Sequence, residues 1–233
     1  MTITYLPTVG STNDWLAEGA TDLPDGAWVF ADAQTGGRGR RGRAWSSLPG
    51  NLFASVLTRP RADEGPSQQL SFVAALALAA TLDAWVTPAR LTLKWPNDVL
   101  LDGTKVAGIL LEKQGDATII GFGVNLAAHP ADSERLATSL AAAGIAPPSP
   151  AAVIDRLSGQ FESARTAWLA GFGAVRTAWL ARAAGLSQPL VARLGSETVT
   201  GNFDGLAADG ALQLRLDNGT LRVVHAGEVF AGV

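Results

Sequence analysis

The 233-residue chain is 47% hydrophobic and 17% charged, enough apolar material for a full core and too much for general disorder. Its 18 Lys+Arg against 21 Asp+Glu leave a net charge of −3, which argues against broad binding to nucleic acid or anionic membrane. Cysteine is absent, so disulfides, thiolate metal sites and a cysteine nucleophile are excluded.

The N-terminus, MTITYLPTVGSTND, lacks the basic start and apolar run of a signal peptide. The longest apolar run, Leu70 to Val86, is alanine-rich, carries Asp83 and falls short of a membrane span. A cytoplasmic protein is expected. Residues 1–10 read as an extended opening segment. Ser11-Thr12-Asn13-Asp14 before Trp15, Leu16 and Ala17 signals a helix N-cap. Ala27 to Ala33 and Asn51 to Thr58 read as strands, Gln69 to Val86 as a long buried helix, and Leu91 to Lys94 as a third strand stopped by Trp95-Pro96-Asn97-Asp98. Val99 to Leu101, Asp102-Gly103 and Val106 to Glu112 form a predicted hairpin, followed by a strand over Ala117 to Leu126. Ala131 to Gly144 reads as a helix. Two more helices are expected over Ala151 to Ala170 and Ala174 to Ala184, with RTAWLA repeated so that Trp168 and Trp179 could share a face. From Leu186 onward, four short strands with turn signals about every ten residues predict a small β-barrel. The expected division is therefore a unit of residues 1–186 followed by one of residues 187–233.

The densest chemical signal is Gln34 to Trp45, QTGGRGRRGRAW. Arg38, Arg40, Arg41 and Arg43 alternate there with Gly37, Gly39 and Gly42. Glycine lets the backbone approach a ligand, and the guanidinium fork grips phosphate or carboxylate at two points. The stretch reads as an anion clamp; a solvated basic turn and an RGG-like RNA-binding segment are the competing readings. Lys94 at a strand end would add to the same positive pocket, against the alternative of an edge lysine reaching solvent. Ser11–Asn13, Gly108 and Gly121–Asn125 are further polar or glycine-bearing patches at loops and strand ends, where binding residues gather. His129 and His225 fall outside these patches, and no Ser-His-Asp order, HExxH or GxxxxGK[ST] is present. Such an inventory suits an enzyme that holds two substrates and stabilises charge without a covalent enzyme intermediate.

Together these segments resemble a biotin protein ligase. The family's GRGRRGRxW is matched at Gly37 to Trp45, KWPND at Lys94 to Asp98, DGxKVAGIL at Asp102 to Leu110, GxGxN at Gly121 to Asn125, and GSTN at Gly10 to Asn13. The resemblance implies an α+β fold: a mixed, largely antiparallel sheet with helices, like a class II synthetase, plus a small SH3-like C-terminal barrel. It implies a two-step reaction. Biotin's carboxylate attacks the α-phosphorus of ATP, with Mg²⁺ accompanying the nucleotide, to give biotinyl-5′-AMP; a lysine of a biotin carboxyl carrier domain then takes the biotinyl group. By the same resemblance, Ser11, Thr12, Asn13 and Gln34 hold the ureido ring, and the Gly37-Arg38 backbone, Gly108, Ile109, Gly121 and Gly123 line its pocket. Arg40 and Lys94 serve both biotin's carboxylate and the phosphate and are the catalytic pair. Arg43 holds phosphate, Trp45 packs over adenine, and Asn125 lies near the nucleotide. No room precedes GSTN for the DNA-binding domain of repressor relatives, so a ligase without DNA binding is expected, as monomer or homodimer. The rival readings are a lipoate ligase or octanoyl transferase, whose family lacks GRGRRGRxW, and a nucleic-acid-binding protein that uses Arg38–Arg43.

Overall fold

The computed structural model describes residues 2–61, 63–131, 136–195 and 197–232. In chain order the elements are β1 (Ile3–Val9), α1 (Thr12–Glu18), β2 (Trp28–Gln34), β3 (Leu52–Thr58), α2 (Leu70–Leu82), β4 (Leu91–Lys94), β5 (Asp98–Leu101), β6 (Thr104–Gln114) and β7 (Ala117–Val124). Then follow α3 (Pro150–Leu169), α4 (Phe172–Leu180), β8 (Pro189–Leu194), β9 (Glu197–Leu206), β10 (Leu212–Arg215), β11 (Leu221–Val224) and β12 (Glu228–Ala231). The first seven strands form one sheet in the order β1-β2-β3-β7-β6-β5-β4. Only β1 and β2 pair in parallel; the other neighbours are antiparallel. The last five form a second, antiparallel sheet in the order β11-β10-β9-β8-β12. This is the expected α+β architecture.

Period-two alternation divides the central strands between two environments. Trp28, Leu52, Ala54, Val56, Ile120, Phe122 and Val124 face a large core shared with Leu70, Leu78 and Leu82 of α2 and Val153, Leu157 and Phe161 of α3. The opposite face carries Val29, Leu57, Ala117 and Ile119, which pack on Leu16 of α1. A helix wedged between a sheet and two other helices has no wet side, and α2 is accordingly apolar almost all round. Trp168 and Trp179 lie on separate helices because Gly171, at φ 128°, breaks the run between them. Both turn inward: the Trp168 indole donates to Gln69 Oε1 at 2.8 Å, and Trp179 meets Phe72 edge-on.

Three expectations are corrected. Residues 132–135 of the anticipated 131–144 helix lie outside the described residues; 136–144 form turns and a bridge between Ala137 and Lys105. The Thr138 and Leu140 amides bond the Lys105 and Asn125 carbonyls, so tertiary hydrogen bonds outcompete a helix that only alanine content favoured. The long helix ends at Leu82, with turns over 83–86. The second sheet has a fifth strand, β12, four residues long and too short for a pattern of its own. No helix among the described residues is long and apolar enough to cross a membrane.

Asn51 locks the segment after β7. It is buried, its Oδ1 accepts from the amides of Leu126, Ala127 and Ala128, and its Nδ2 donates to the Ala128 carbonyl. Asn51→Ala would strand those amides away from water, and a loss of about 2–3 kcal/mol in stability is expected from urea unfolding. Asn51→Asp keeps the acceptor for the three amides but sets a second oxygen against the Ala128 carbonyl, so it should destabilise as well.

Candidate active site

The site begins as a row across the sheet. Lys94 opposes Asp98, Asp98 opposes Gly108, Gly108 opposes Gly123, and Gly123 opposes Phe53. Opposed residues share a face, so this row presents two glycines in line with an ammonium and a carboxylate. Gly121, one pleat away on the same face, opposes Ser55. The glycines remove side chains from the middle of the face and leave a floor on which other groups rest. A Cβ at Gly123 would strike the Trp45 indole, and one at Gly121 the Asn13 amide. Parallel pairing of β1 with β2 sets Val9 beside Gln34, and with it the segments that follow the two strands. Ser11–Asn13 and the arginine loop therefore lie side by side over the floor. The result is a cleft of about 440 Å³.

One wall is neutral and densely hydrogen-bonded. Ser11 caps α1 by accepting from the Asp14 amide. The Thr12 amide donates to Gln34 Oε1 at 2.8 Å, with the Thr12 hydroxyl 3.1 Å from that oxygen. Ser55 Oγ lies 2.8 Å from Thr12 Oγ1 and 2.6 Å from Asn13 Oδ1. Asn13 Nδ2 donates to Glu112 at 2.7 Å. Arg38 binds both oxygens of Asp14 at 2.6 and 2.7 Å and both of Glu112 at 3.0 and 3.1 Å. Its guanidinium thus pins the loop to α1 and β6. The hydrogen bond from Arg38 holds the Asp14 carboxyl below its ordinary value, against the opposing effect of burial. The folded value is depressed, so this contact stabilises at pH above the usual carboxylate range and is lost as pH falls through the lowered value.

The other wall is cationic. Arg40 and Arg43 flank a short 3₁₀ turn over Arg40–Gly42, whose tip residue Arg41 is exposed and left-handed at φ 59°. Arg40 donates to the Gly227 carbonyl at 3.2 Å. Burial, then the adjacent Arg41 charge, lowers its pKa from the ordinary guanidinium value. A guanidinium keeps its proton, so the shift marks a charge that Asp98 and Glu228 only partly compensate. Arg43 pairs with Glu228 at 2.5 Å. The Lys94 ammonium lies 5.6 Å from the centre of the Phe230 ring. Lys105 pairs with the buried Asp98 at 2.6 Å and lies 5.5 Å from the centre of a Trp45 ring.

Of the residues expected at the site, Ser11, Thr12, Asn13, Gln34, Arg38, Arg40, Arg43, Trp45, Lys94, Gly108, Ile109, Gly121, Gly123 and Asn125 all line this cleft. Gly37 lies behind the lining, its carbonyl accepting from the Trp45 amide. Three of these side chains also make contacts within the protein. Arg38 is taken up by carboxylates, Trp45 rests on the glycine floor, and the Asn125 amide donates to the Thr138 carbonyl at 3.0 Å. Sequence reasoning missed Asp14, Ser55, Asp98, Lys105, Glu112 and Glu228. Asp98 and Lys105 stood inside motifs already quoted; Ser55, in the middle of an apolar strand, was a signal available but unused. Glu112 and Glu228 gave none, since carboxylates near strand ends are ordinary surface residues.

Comparison with known proteins agrees with this geometry. Residues 5–125 match the Biotin/lipoate A/B protein ligase family, and residues 188–232 match the Biotin protein ligase C terminal domain. The chain is 41% identical to a biotin–[acetyl-CoA-carboxylase] ligase of Paracoccus denitrificans, across 95% of this chain and 97% of that one. A protein of the same description from Mycobacterium tuberculosis is 34% identical, across 94% and 85%. Among solved structures, the biotin protein ligase of Aquifex aeolicus in complex with biotin and ATP superposes with a TM-score of 0.88 at 26% identity, covering 99% of each chain. A glycine floor between a neutral polar wall and a cationic one, on a fold and sequence shared end to end with these enzymes, places the chain in the biotin protein ligase family.

Proposed function

We propose that the cleft joins biotin to ATP and passes the biotinyl group to a lysine of a carboxylase's carboxyl carrier domain, in the cytoplasm. The single observation that supports this reading is the two-sided lining. The wall formed by Thr12, Asn13 and Gln34, backed by the buried Ser55, offers several hydrogen-bonding oxygens and an amide, which suits a ureido ring. The wall formed by Arg40, Arg43 and Lys94 offers positive charge, which suits a carboxylate meeting phosphates. A lipoyl dithiolane would leave the neutral wall unmatched. A nucleic-acid reading is disfavoured because Arg38 is engaged by Asp14 and Glu112 and the chain carries a net charge of −3.

The physical problem in the first step is repulsion. Two like charges about 4 Å apart in a protein environment repel by roughly 4 kcal/mol, about a thousandfold in rate. Lys94 and Arg40, both lining the cleft, bring positive charge that offsets that repulsion. Biotin's carboxylate oxygen attacks the α-phosphorus, pyrophosphate leaves, and the same two cations hold the adenylate. The carrier amine then attacks the acyl carbon, and AMP departs carrying the electron pair of the broken bond. ATP enters as its Mg²⁺ complex. We read residues 1–186 as the catalytic unit and 187–233 as an SH3-like unit. The Gly227–Val229 stretch of the latter supplies the Gly227 carbonyl to Arg40 and Glu228 to Arg43.

The central test is pyrophosphate release from ATP, which should require biotin. Lys94→Ala should slow adenylate formation by about 10²–10³-fold, as removal of one transition-state donor does. A rate within twofold of wild type would remove Lys94 from the mechanism. Arg40→Gly should shorten the lifetime of preformed biotinyl-5′-AMP on the protein, followed by its escape into a trap of free acceptor. Retention equal to wild type would reassign Arg40 to loop structure alone.

A further inference from the structure

The neutral wall ends, away from the ligand, on a carboxylate, and this sets the direction of every proton along it. An ionised carboxylate only accepts. Glu112 therefore requires the donor end of the Asn13 amide, Nδ2, at 2.7 Å. That turns Asn13 Oδ1 toward Ser55, and Ser55 must give its single proton to this oxygen at 2.6 Å. The 2.8 Å contact between Ser55 Oγ and Thr12 Oγ1 then needs a proton from Thr12. The alternative for Thr12 is Gln34 Oε1, at 3.1 Å, which already takes the Thr12 amide proton at 2.8 Å. The Ser55 contact is the shorter, and without a proton between them its two oxygens would repel more strongly. Thr12 therefore donates inward to Ser55. The 3.1 Å contact from Thr12 Oγ1 to Gln34 Oε1, which that proton could otherwise bridge, is then left as two acceptors on the cleft wall.

We propose that Glu112 is a positioning residue that, through Asn13 and Ser55, commits Thr12 to be an acceptor and so selects a ligand with an N–H donor at that point. The proposal rests on biotin as the ligand, whose ureido ring carries two N–H groups. An N–H entering beside Thr12 Oγ1 and Gln34 Oε1 supplies the missing proton and removes the repulsion between them. Arg38 takes part by holding Glu112 at 3.0 and 3.1 Å with the carboxylate edge turned to Asn13. Glu112 itself touches no part of the cleft lining except through Asn13 and Arg38, so it acts on recognition and not on the reacting atoms.

Glu112→Gln keeps the shape but removes the obligatory acceptor: a neutral amide can face Asn13 with either end, so Asn13 is no longer committed to one orientation. Wherever Asn13 turns over, Ser55 donates to Thr12 and the Thr12 proton points outward. Calorimetry on the full chain should show biotin binding weakened about tenfold or more. KM for ATP and kcat at saturating biotin should stay within about twofold. An analogue with one ureido N–H replaced by a ring oxygen, a cyclic carbamate, should be rejected by wild type and discriminated far less by Glu112→Gln. Ser55→Ala breaks the relay without changing charge and should give the same biotin-specific loss. Adding Glu112→Gln to it should then cost little more, because the relay no longer reaches Thr12. Full additivity of the two losses, or unchanged discrimination against the carbamate, would overturn the proposal. Biotin-dependent pyrophosphate release by wild type is the control: its absence refutes the ligase reading itself, and its presence with an unaltered Glu112→Gln refutes only the relay.

Discussion

Cross-strand register is the constraint on which the site depends. The row Lys94–Asp98–Gly108–Gly123–Phe53 crosses five adjacent strands, and each partner is set by the hydrogen-bond ladder. A slip of one residue on any strand would send its members to the opposite face, into the core with Phe122 and Val124. Register is secured by that core: Ile120, Phe122 and Val124 on one face leave Gly121 and Gly123 on the other. Burial beneath α2 and α3 therefore does two jobs, supplying hydrophobic stabilisation and aiming the polar row. The glycine floor is a by-product of the same alternation, with apolar bulk on one side of the sheet and bare backbone on the other.

On this frame the arginine loop is less uniform than its sequence. Its four arginines have four different surroundings. Arg38 is held between two carboxylates, Arg40 is half-buried against a carbonyl, Arg41 is exposed at a left-handed turn, and Arg43 meets Glu228. Electrostatics sorts them: the Arg38 guanidinium is compensated by Asp14 and Glu112, whereas burial leaves that of Arg40 less compensated. Glycines between the arginines permit this divergence, most directly Gly42 at φ 71° beside Arg41.

Much of this was legible in the sequence because local rules and tertiary demands agreed. Strands β3, β4, β6 and β7 and helix α3 were marked by alternation, turn residues and caps, and the structure keeps them within a few residues. The motif residues that line the cleft were recognised from the ordered motifs that resemble the family, with the glycines and arginines of the loop also pointing to an anion. What escaped was long-range. Residues 136–144 have a helical composition, yet their amides are claimed by the ends of β6 and β7. Strand β12 has no identity apart from its pairing with β8. Glu112 and Asn13 are 99 residues apart, and no local pattern announces that they touch. The orientation of the Arg38 side chain was illegible for the same reason, its two partners coming from α1 and β6.

The contacts of Arg40 with Gly227 and of Arg43 with Glu228 join residues more than 180 positions apart in the chain. During synthesis from the N-terminus, the glycine floor and the neutral wall emerge well before these two partners. A nascent chain can therefore complete the glycine floor and the neutral wall while the cationic wall still lacks its outer border. The cleft gains its last side only with the arrival of the second sheet.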